Sequence, residues 1–177
     1  MRKRTIIILL ACAVAVAIGI GTTVAYLVAS PRTVENTFTA GKVEITLTET
    51  TGAEYKMAPG VNLEKDPTVT VKADSEDCWL FVKVEKPTKF DDFCTYGIQS
   101  GWAPLEGHSG VYYKRVVKST ADQTFKILKG DQITVLDTVT EEQLKTVGES
   151  LDLKFTAGAI QSAGIDSADE AWHALNS

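Results

Sequence analysis

The segment CWLFVKV, residues 78–84, decides the fold of this chain. Successive side chains of a β-strand point to opposite faces of its sheet. One face of this segment carries Leu80, Val82 and Val84, which follow Cys78 at two-residue spacing. Trp79 and Phe81 occupy the other face. Because both faces are apolar, we expect the strand to be covered on both sides, as in the centre of a sandwich or at an interface.

Shorter segments on either side of this strand alternate between apolar and polar residues, the pattern of half-buried strands. They are residues 43–47, 68–72 and 151–155, and residues 111–117, 125–128 and 133–136 are likewise rich in strand-forming residues without strict alternation. The pair Gly130-Asp131 is a turn signal, and residues 87–110 break the pattern and predict a long excursion between strands. Seven or so short strands separated by turns predict an antiparallel β-sandwich, with jelly-roll and immunoglobulin-like topologies both open.

The C-terminal residues change from strand-like to helical. Ser167 and Glu170 have the spacing of a capping box, in which a serine hydroxyl and a glutamate satisfy free amides at a helix start. Ala171, Trp172 and Leu175 follow at helical spacing as an apolar face. We therefore predict a short C-terminal helix that covers the sandwich. Residues 141–146 fit either one helical turn or a loop.

The first thirty residues have the composition of an export signal. Three basic residues at positions 2–4 precede a segment, residues 5–31, that contains no charge and is mostly apolar. Small side chains one and three positions before the bond predict cleavage between Ala25 and Tyr26. This divides the chain into a signal peptide, residues 1–25, and a single β-sandwich domain, residues 26–177. Alternatively, the segment stays uncleaved as a membrane helix to about residue 30, since about 20 apolar residues span a bilayer.

The charge balance argues against binding to nucleic acid. The chain has 18 Lys and Arg residues and 23 Asp and Glu residues, and cleavage after Ala25 removes three cations and no anion. A strongly acidic surface repels polyanions and anionic lipid. We therefore expect membrane contact only through the N-terminal segment, and a protein that is secreted or held at the cell surface.

Cys78 and Cys94 are the two cysteines that follow the apolar N-terminal segment. In an exported protein such a pair is typical of a disulfide that closes a modest loop. The alternative is two separate thiols, one of them buried in a strand. The sequence leaves both open.

No pattern of catalytic or metal-binding residues is present in the sequence. The two histidines, His108 and His173, lie far apart in the chain and lack the His-Glu-x-x-His spacing of zinc peptidases. We expect both to be solvated or packed, and we predict no catalytic residue, no cofactor and no metal ligand. The acidic run at residues 74–77 could hold Ca²⁺ weakly, but such runs are more often solvated turns.

Two N-terminal stretches resemble a known family. Residues 19–26, GIGTTVAY, and residues 36–45, NTFTAGKVEI, are similar to the start of TasA/camelysin-type proteins, which are Gram-positive surface proteins. MAPG at 57–60 and KDPTV at 65–69 extend the similarity into the next loop and strand. One departure concerns residues 27–30, LVAS, where family members often carry Ser or Thr followed by Asp.

The resemblance implies a jelly-roll-like domain, exported through an ER-type signal peptidase (SipW-like) to the extracellular matrix, where it self-associates or joins homologous subunits in biofilm fibres. An N-terminal segment freed by cleavage would pair with the sheet of the next subunit. The donor would extend from Tyr26 to about Leu47; alternatively, residues 42–48 are the subunit's own first strand and the donor is residues 26–38. Apolar contacts of the donor would come from Leu27, Val28, Val34 and Phe38. The alternatives are a membrane-anchored monomeric binding module and, since camelysin carries that label, a metallopeptidase.

Overall fold

The computed structural model describes residues 43–51, 57–146 and 151–177. The predicted signal peptide, the cleavage site at Ala25 and Tyr26 and the strand donor, residues 26–38, lie outside these residues. Within the described residues, no helix combines the length and the apolar composition that a bilayer crossing requires.

The described residues form ten strands and three short helices. The strands are β1 (Ile45–Thr48), β2 (Asn62–Glu64), β3 (Thr68–Val71), β4 (Cys78–Glu85), β5 (Cys94–Thr95), β6 (Ala103–Pro104), β7 (Val111–Val116), β8 (Gln123–Lys126), β9 (Gln132–Val135) and β10 (Lys154–Gln161). The helices are α1 (Phe90–Phe93), α2 (Glu141–Thr146) and α3 (Ala168–Leu175). A 3-10 turn, Lys129–Asp131, joins β8 to β9 and contains the expected turn pair, with Gly130 at φ 70°.

Antiparallel pairing organises the strands into three sheets. Their orders are β1-β3-β8, β10-β4-β7-β6 and β2-β9-β5. Every strand pair in them is antiparallel. The prediction of a mostly antiparallel β fold with a short C-terminal helix is therefore confirmed.

Strand β4 is covered on both faces, as its sequence predicts. Leu80, Val82 and Val84 belong to the main core, which also takes side chains from the other two sheets. Trp79 and Phe81 belong to a second apolar cluster, which includes Ala168 and Ala171 of helix α3. The two-sided apolar pattern thus arises because β4 separates a sheet-against-sheet core from a helix-against-sheet core.

Helix α3 begins where the capping box predicts. The Ser167 hydroxyl accepts a hydrogen bond from the Glu170 backbone N–H at 3.2 Å. The Glu170 carboxylate accepts a hydrogen bond from the backbone N–H of Asp166 at 3.4 Å. A regular capping box would use the N–H of Ser167, the next residue. Trp172 and Leu175 pack against the cluster of Trp79 and Phe81, as expected.

Other elements depart from the sequence prediction. The excursion at residues 87–110 contains α1, β5 and β6, which are too short to show a period in the sequence. Residues 141–146 form helix α2, which is one of the two alternatives that the sequence allows. The last strand begins at Lys154 and continues to Gln161, because Ala157 and Ala159 fill core positions where small side chains fit against β4.

Asp66 joins the end of β1 to the start of β3. Its carboxylate accepts hydrogen bonds from the backbone N–H groups of Thr50 and Thr51, at 2.9 and 3.0 Å, and from both threonine hydroxyls. Burial raises the pKa of Asp66, but these hydrogen bonds outweigh it and lower the pKa from 3.8 to about 2. Such hydrogen bonds favour the ionised form. Folding is therefore linked to ionisation of this carboxyl.

We expect Asp66→Asn to destabilise the protein by about 1 kcal/mol at neutral pH, a value discounted for solvent screening. The folded-state pKa lies below the unfolded one, so the contribution is present above about pH 4 and is lost as the pH falls through about 2. Urea unfolding of both proteins across this range should show the difference shrinking. Asp137→Asn, at an exposed carboxylate, is the control, and a pH-independent difference for Asp66→Asn would contradict the assignment.

Candidate functional site

The two edges of the four-stranded sheet differ in length and composition. Edge strand β6 has two residues, and one of them is Pro104, which has no N–H to donate. Edge strand β10 has eight residues and, among the described residues, a single hydrogen-bonded neighbour, β4. Short strands and prolines are the usual means of protecting an edge from pairing with another chain. By this criterion β6 is protected, whereas no described strand other than β4 pairs with β10.

Strand β10 presents uncharged side chains along most of its length. Lys154 is its single charged residue, at the first position. Ala157 and Ala159 point into the main core, so Thr156, Gly158 and Ile160 lie on the opposite face. This outer face is the one on which helix α3 packs.

A cavity lies beside this edge, between the sheet and the C-terminal end of α3. Its volume is about 270 Å³. Its lining takes residues from β4, β10, the helix and the residue after it: Lys83, Glu85, Thr156, Ala157, Gly158, Trp172, Leu175 and Asn176. The open edge is thus bordered by a partly apolar recess that could receive a side chain from an added strand.

Gly158 lets helix α3 lie close to the sheet. A Cβ at this position would come within 2.7 Å of Leu175 Cδ2. Gly158 also lies opposite Phe81 in the β10–β4 register, and Phe81 packs against Trp172 with ring centroids 5.3 Å apart. Because glycine has no side chain, α3 can pack close to β10 and form one wall of the recess.

Cys78 and Cys94 are separate buried thiols. The structure therefore shows the second of the two alternatives and no disulfide between them. Cys78 begins β4 in the four-stranded sheet, whereas Cys94 begins β5 and pairs with Val135 in another sheet. Burial, together with the neighbouring Asp77 carboxylate, raises the pKa of Cys78 to about 11. Burial also raises the pKa of Cys94.

The residues predicted for strand donation divide into two groups. Leu27, Val28, Val34 and Phe38 lie outside the described residues. Within residues 42–48, β1 pairs with β3 of the same chain, in the register Ile45 to Val71. This agrees with the interpretation that residues 42–48 are the subunit's own first strand.

The structure brings together the two histidines that the sequence separates. His108 Nε2 lies 3.3 Å from Asp169 Oδ1, and His173 Nε2 lies 3.7 Å from Asp169 Oδ2. His108 and Asp169 are 61 residues apart in the chain. Sequence analysis missed this cluster because its spacing arises only from tertiary packing, although Asp169 and His173 share a helix face at four-residue spacing. These three residues can supply ligands to a metal ion.

Acidic side chains of residues 74–77 make contacts with Lys118 of the same chain. Asp77 accepts a hydrogen bond from the Lys118 backbone N–H at 2.7 Å. Glu76 pairs with the Lys118 ammonium at 2.9 Å. These contacts fit the interpretation of the run as a solvated turn.

Comparison with models of protein families, with curated proteins and with solved structures finds no match to this chain.

Proposed function

We propose that this chain is an exported structural protein of the cell surface or biofilm matrix that assembles by strand addition at β10. Its N-terminal segment, residues 26–38, would leave the signal peptide by cleavage after Ala25. This segment would then pair with the β10 edge of the next subunit. The resemblance to TasA/camelysin-type proteins motivates the proposal, and the same resemblance favours a jelly-roll-like arrangement of the three sheets.

The observation that carries the proposal is the open edge of β10. An unpaired strand edge offers N–H and C=O groups, and a strand from another chain satisfies them. At about 3.4 Å per residue, the eight residues of β10 present an edge of about 27 Å. The proposed donor has 13 residues and can cover this length with residues to spare.

The recess beside β10 explains how an added strand would be recognised. Backbone pairing supplies affinity without sequence preference, whereas pockets for alternate side chains supply specificity. The donor carries apolar residues on which such a pocket could act: Leu27, Val28, Val34 and Phe38. Head-to-tail pairing of this kind produces open filaments when the rotation between subunits does not close a ring.

Electron microscopy and sedimentation of purified chains test the proposal. Protein that begins at Tyr26 should form filaments or strand-paired oligomers, and protein that begins at Thr39 should not. A synthetic peptide of residues 26–38, added in excess, should stop assembly because it occupies the edge without offering a domain for the next step. A scrambled peptide of the same composition is its control.

A substitution on the acceptor strand tests the site itself. Thr156→Lys places a charge on the exposed side of β10, a device that natural edge strands use against pairing. We expect it to weaken assembly and to raise the critical concentration at least about tenfold. Thr124→Lys, on edge strand β8 of another sheet, should leave assembly unchanged. Strictly monomeric protein from Tyr26 at high concentration, or equal effects of the two lysines, would overturn the proposal.

N-terminal sequencing of the exported protein tests the processing step. A first residue of Tyr26 supports release by an ER-type signal peptidase. An intact N-terminus in material extracted from the membrane would instead favour a membrane-anchored monomeric binding module.

A further inference from the structure

The cluster of His108, Asp169 and His173 has the composition and spacing of a transition-metal site. Its potential ligand atoms all lie within 4.8 Å of one another. A tetrahedral zinc shell with bonds of about 2.1 Å places neighbouring ligand atoms about 3.4 Å apart. His108 Nε2 lies 3.3 Å from Asp169 Oδ1, close to this value, and His173 Nε2 lies 3.7 Å from the other carboxylate oxygen, Oδ2. Small adjustments of side-chain torsions would complete the geometry.

The loop that carries His108 is held in place by its backbone. Leu105 and Val111 close it, since the Leu105 N–H donates to the Val111 carbonyl at 2.9 Å. Inside the loop, the His108 N–H donates to the Leu105 carbonyl, and the His108 carbonyl accepts from the Val111 N–H, both at 3.1 Å. The Gly110 carbonyl accepts from the Val84 N–H at 2.8 Å, which fixes the loop to the end of β4. His108 therefore projects from a braced turn.

Helix α3 carries the other two ligands and is anchored on the same face of β4. Ala168 and Ala171 are buried in the cluster that contains Phe81 and Leu105. Asp169 and His173 stand four residues apart and are exposed to solvent. Trp172 lies between them in sequence, and its ring contacts His108 at a centroid distance of 6.0 Å. Two independently anchored elements thus bring their side chains to one point.

We propose that these three residues bind one divalent transition-metal ion, with Zn²⁺ the best match. Imidazole nitrogens with one carboxylate oxygen form a borderline ligand set, which suits zinc better than Ca²⁺ or Mg²⁺. Asp169 and Glu170 in the first turn of α3 add negative charge that favours a cation. The ion would join α3 to the loop between β6 and β7.

Solvent exposure leaves the remaining coordination position open. The side-chain exposures are 28% for His108, 61% for Asp169 and 70% for His173. Water would complete the shell in the isolated subunit. The inference concerns the face of the domain that carries α3 and does not depend on the strand addition proposed above.

Titration of the tag-free full chain in mild detergent with Zn²⁺, in competition with a chromophoric chelator, tests the proposal. We expect one Zn²⁺ per chain and a loss of affinity of at least about tenfold in His108→Gln, Asp169→Asn and His173→Gln, since even outer-shell changes cost that much in other sites. Glu106→Gln removes one negative charge from the same loop and is the matched control. It should bind Zn²⁺ within about twofold of the unchanged protein, because a nearby charge that is not a ligand contributes little in water.

Nuclear magnetic resonance of the imidazole nitrogens reads the site directly. The chain contains only two histidines, so every imidazole signal comes from the cluster. Zn²⁺ should shift the ring signals of both histidines in the folded protein at one equivalent. Absence of these shifts, or Zn²⁺ binding that is unchanged in the His108→Gln and His173→Gln variants, would overturn the proposal.

Discussion

Phe81→Ala is expected to lower the free energy of unfolding by about 3–5 kcal/mol, the range for removing a large aromatic side chain from a well-packed core. Phe81 is fully buried. Its ring contacts Trp172 of α3 at 5.3 Å and Tyr113 of β7 at 6.3 Å, measured between ring centroids. The substitution therefore leaves a cavity where β4, its neighbour β7 and helix α3 meet.

Chemical denaturation measures the loss, and a double-mutant cycle locates it. Combining Phe81→Ala with Trp172→Ala should give a coupling energy of about 0.5–1.5 kcal/mol, because the two rings contact each other. Val117→Ala is the control, since that side chain is 66% exposed and its loss should cost less than about 0.5 kcal/mol. A cost for Phe81→Ala no larger than that of Val117→Ala would show that α3 does not pack on β4 as described.

Gly110→Ala is expected to destabilise the protein by about 3 kcal/mol or more, through two effects. Gly110 has a φ of +75°, which L-residues with a Cβ rarely adopt. A Cβ there would also lie 2.5 Å from the Val84 carbonyl oxygen, a backbone atom that cannot move without disturbing β4. The change would strain the turn and push the loop away from the sheet.

Gly107→Ala separates these two effects. Gly107 has a similar φ of +77° in the same loop, but a Cβ at that position meets no atom within 4 Å. It should therefore cost only about 1 kcal/mol, the penalty of the left-handed conformation alone. Equal losses in the two variants, measured by thermal unfolding, would contradict the close approach of Gly110 to Val84.

The sequence predicts the parts of the fold that depend on local pattern. Strand β4 shows its two buried faces in its composition, and α3 shows its start in the Ser167 capping box, because each signal lies within a few residues. Strands β5 and β6 have two residues each and cannot display a period. For the last strand the sequence predicts residues 151–155, whereas β10 runs from Lys154 to Gln161. The pattern misses its second half because the core positions there are alanines, which carry little hydropathy signal.

The candidate sites were less accessible to sequence analysis. Whether an edge is open depends on which strands neighbour each other, and order along the chain does not determine this. The histidine cluster depends on a turn and a helix that meet only when both pack on β4. The cysteine pair shows the same limit, since proximity in sequence placed Cys78 and Cys94 within reach of each other and the fold placed them in different sheets.

The state of these two cysteines bears on how the described strands are held together. The thiolate is the form of cysteine that reacts with oxidants and disulfides, and the raised pKa of both residues keeps them in the thiol form at neutral pH. Burial also shields the sulfur atoms from small reagents. No disulfide therefore crosslinks the described residues, and β4 and β5 are held in place by side-chain packing and backbone pairing.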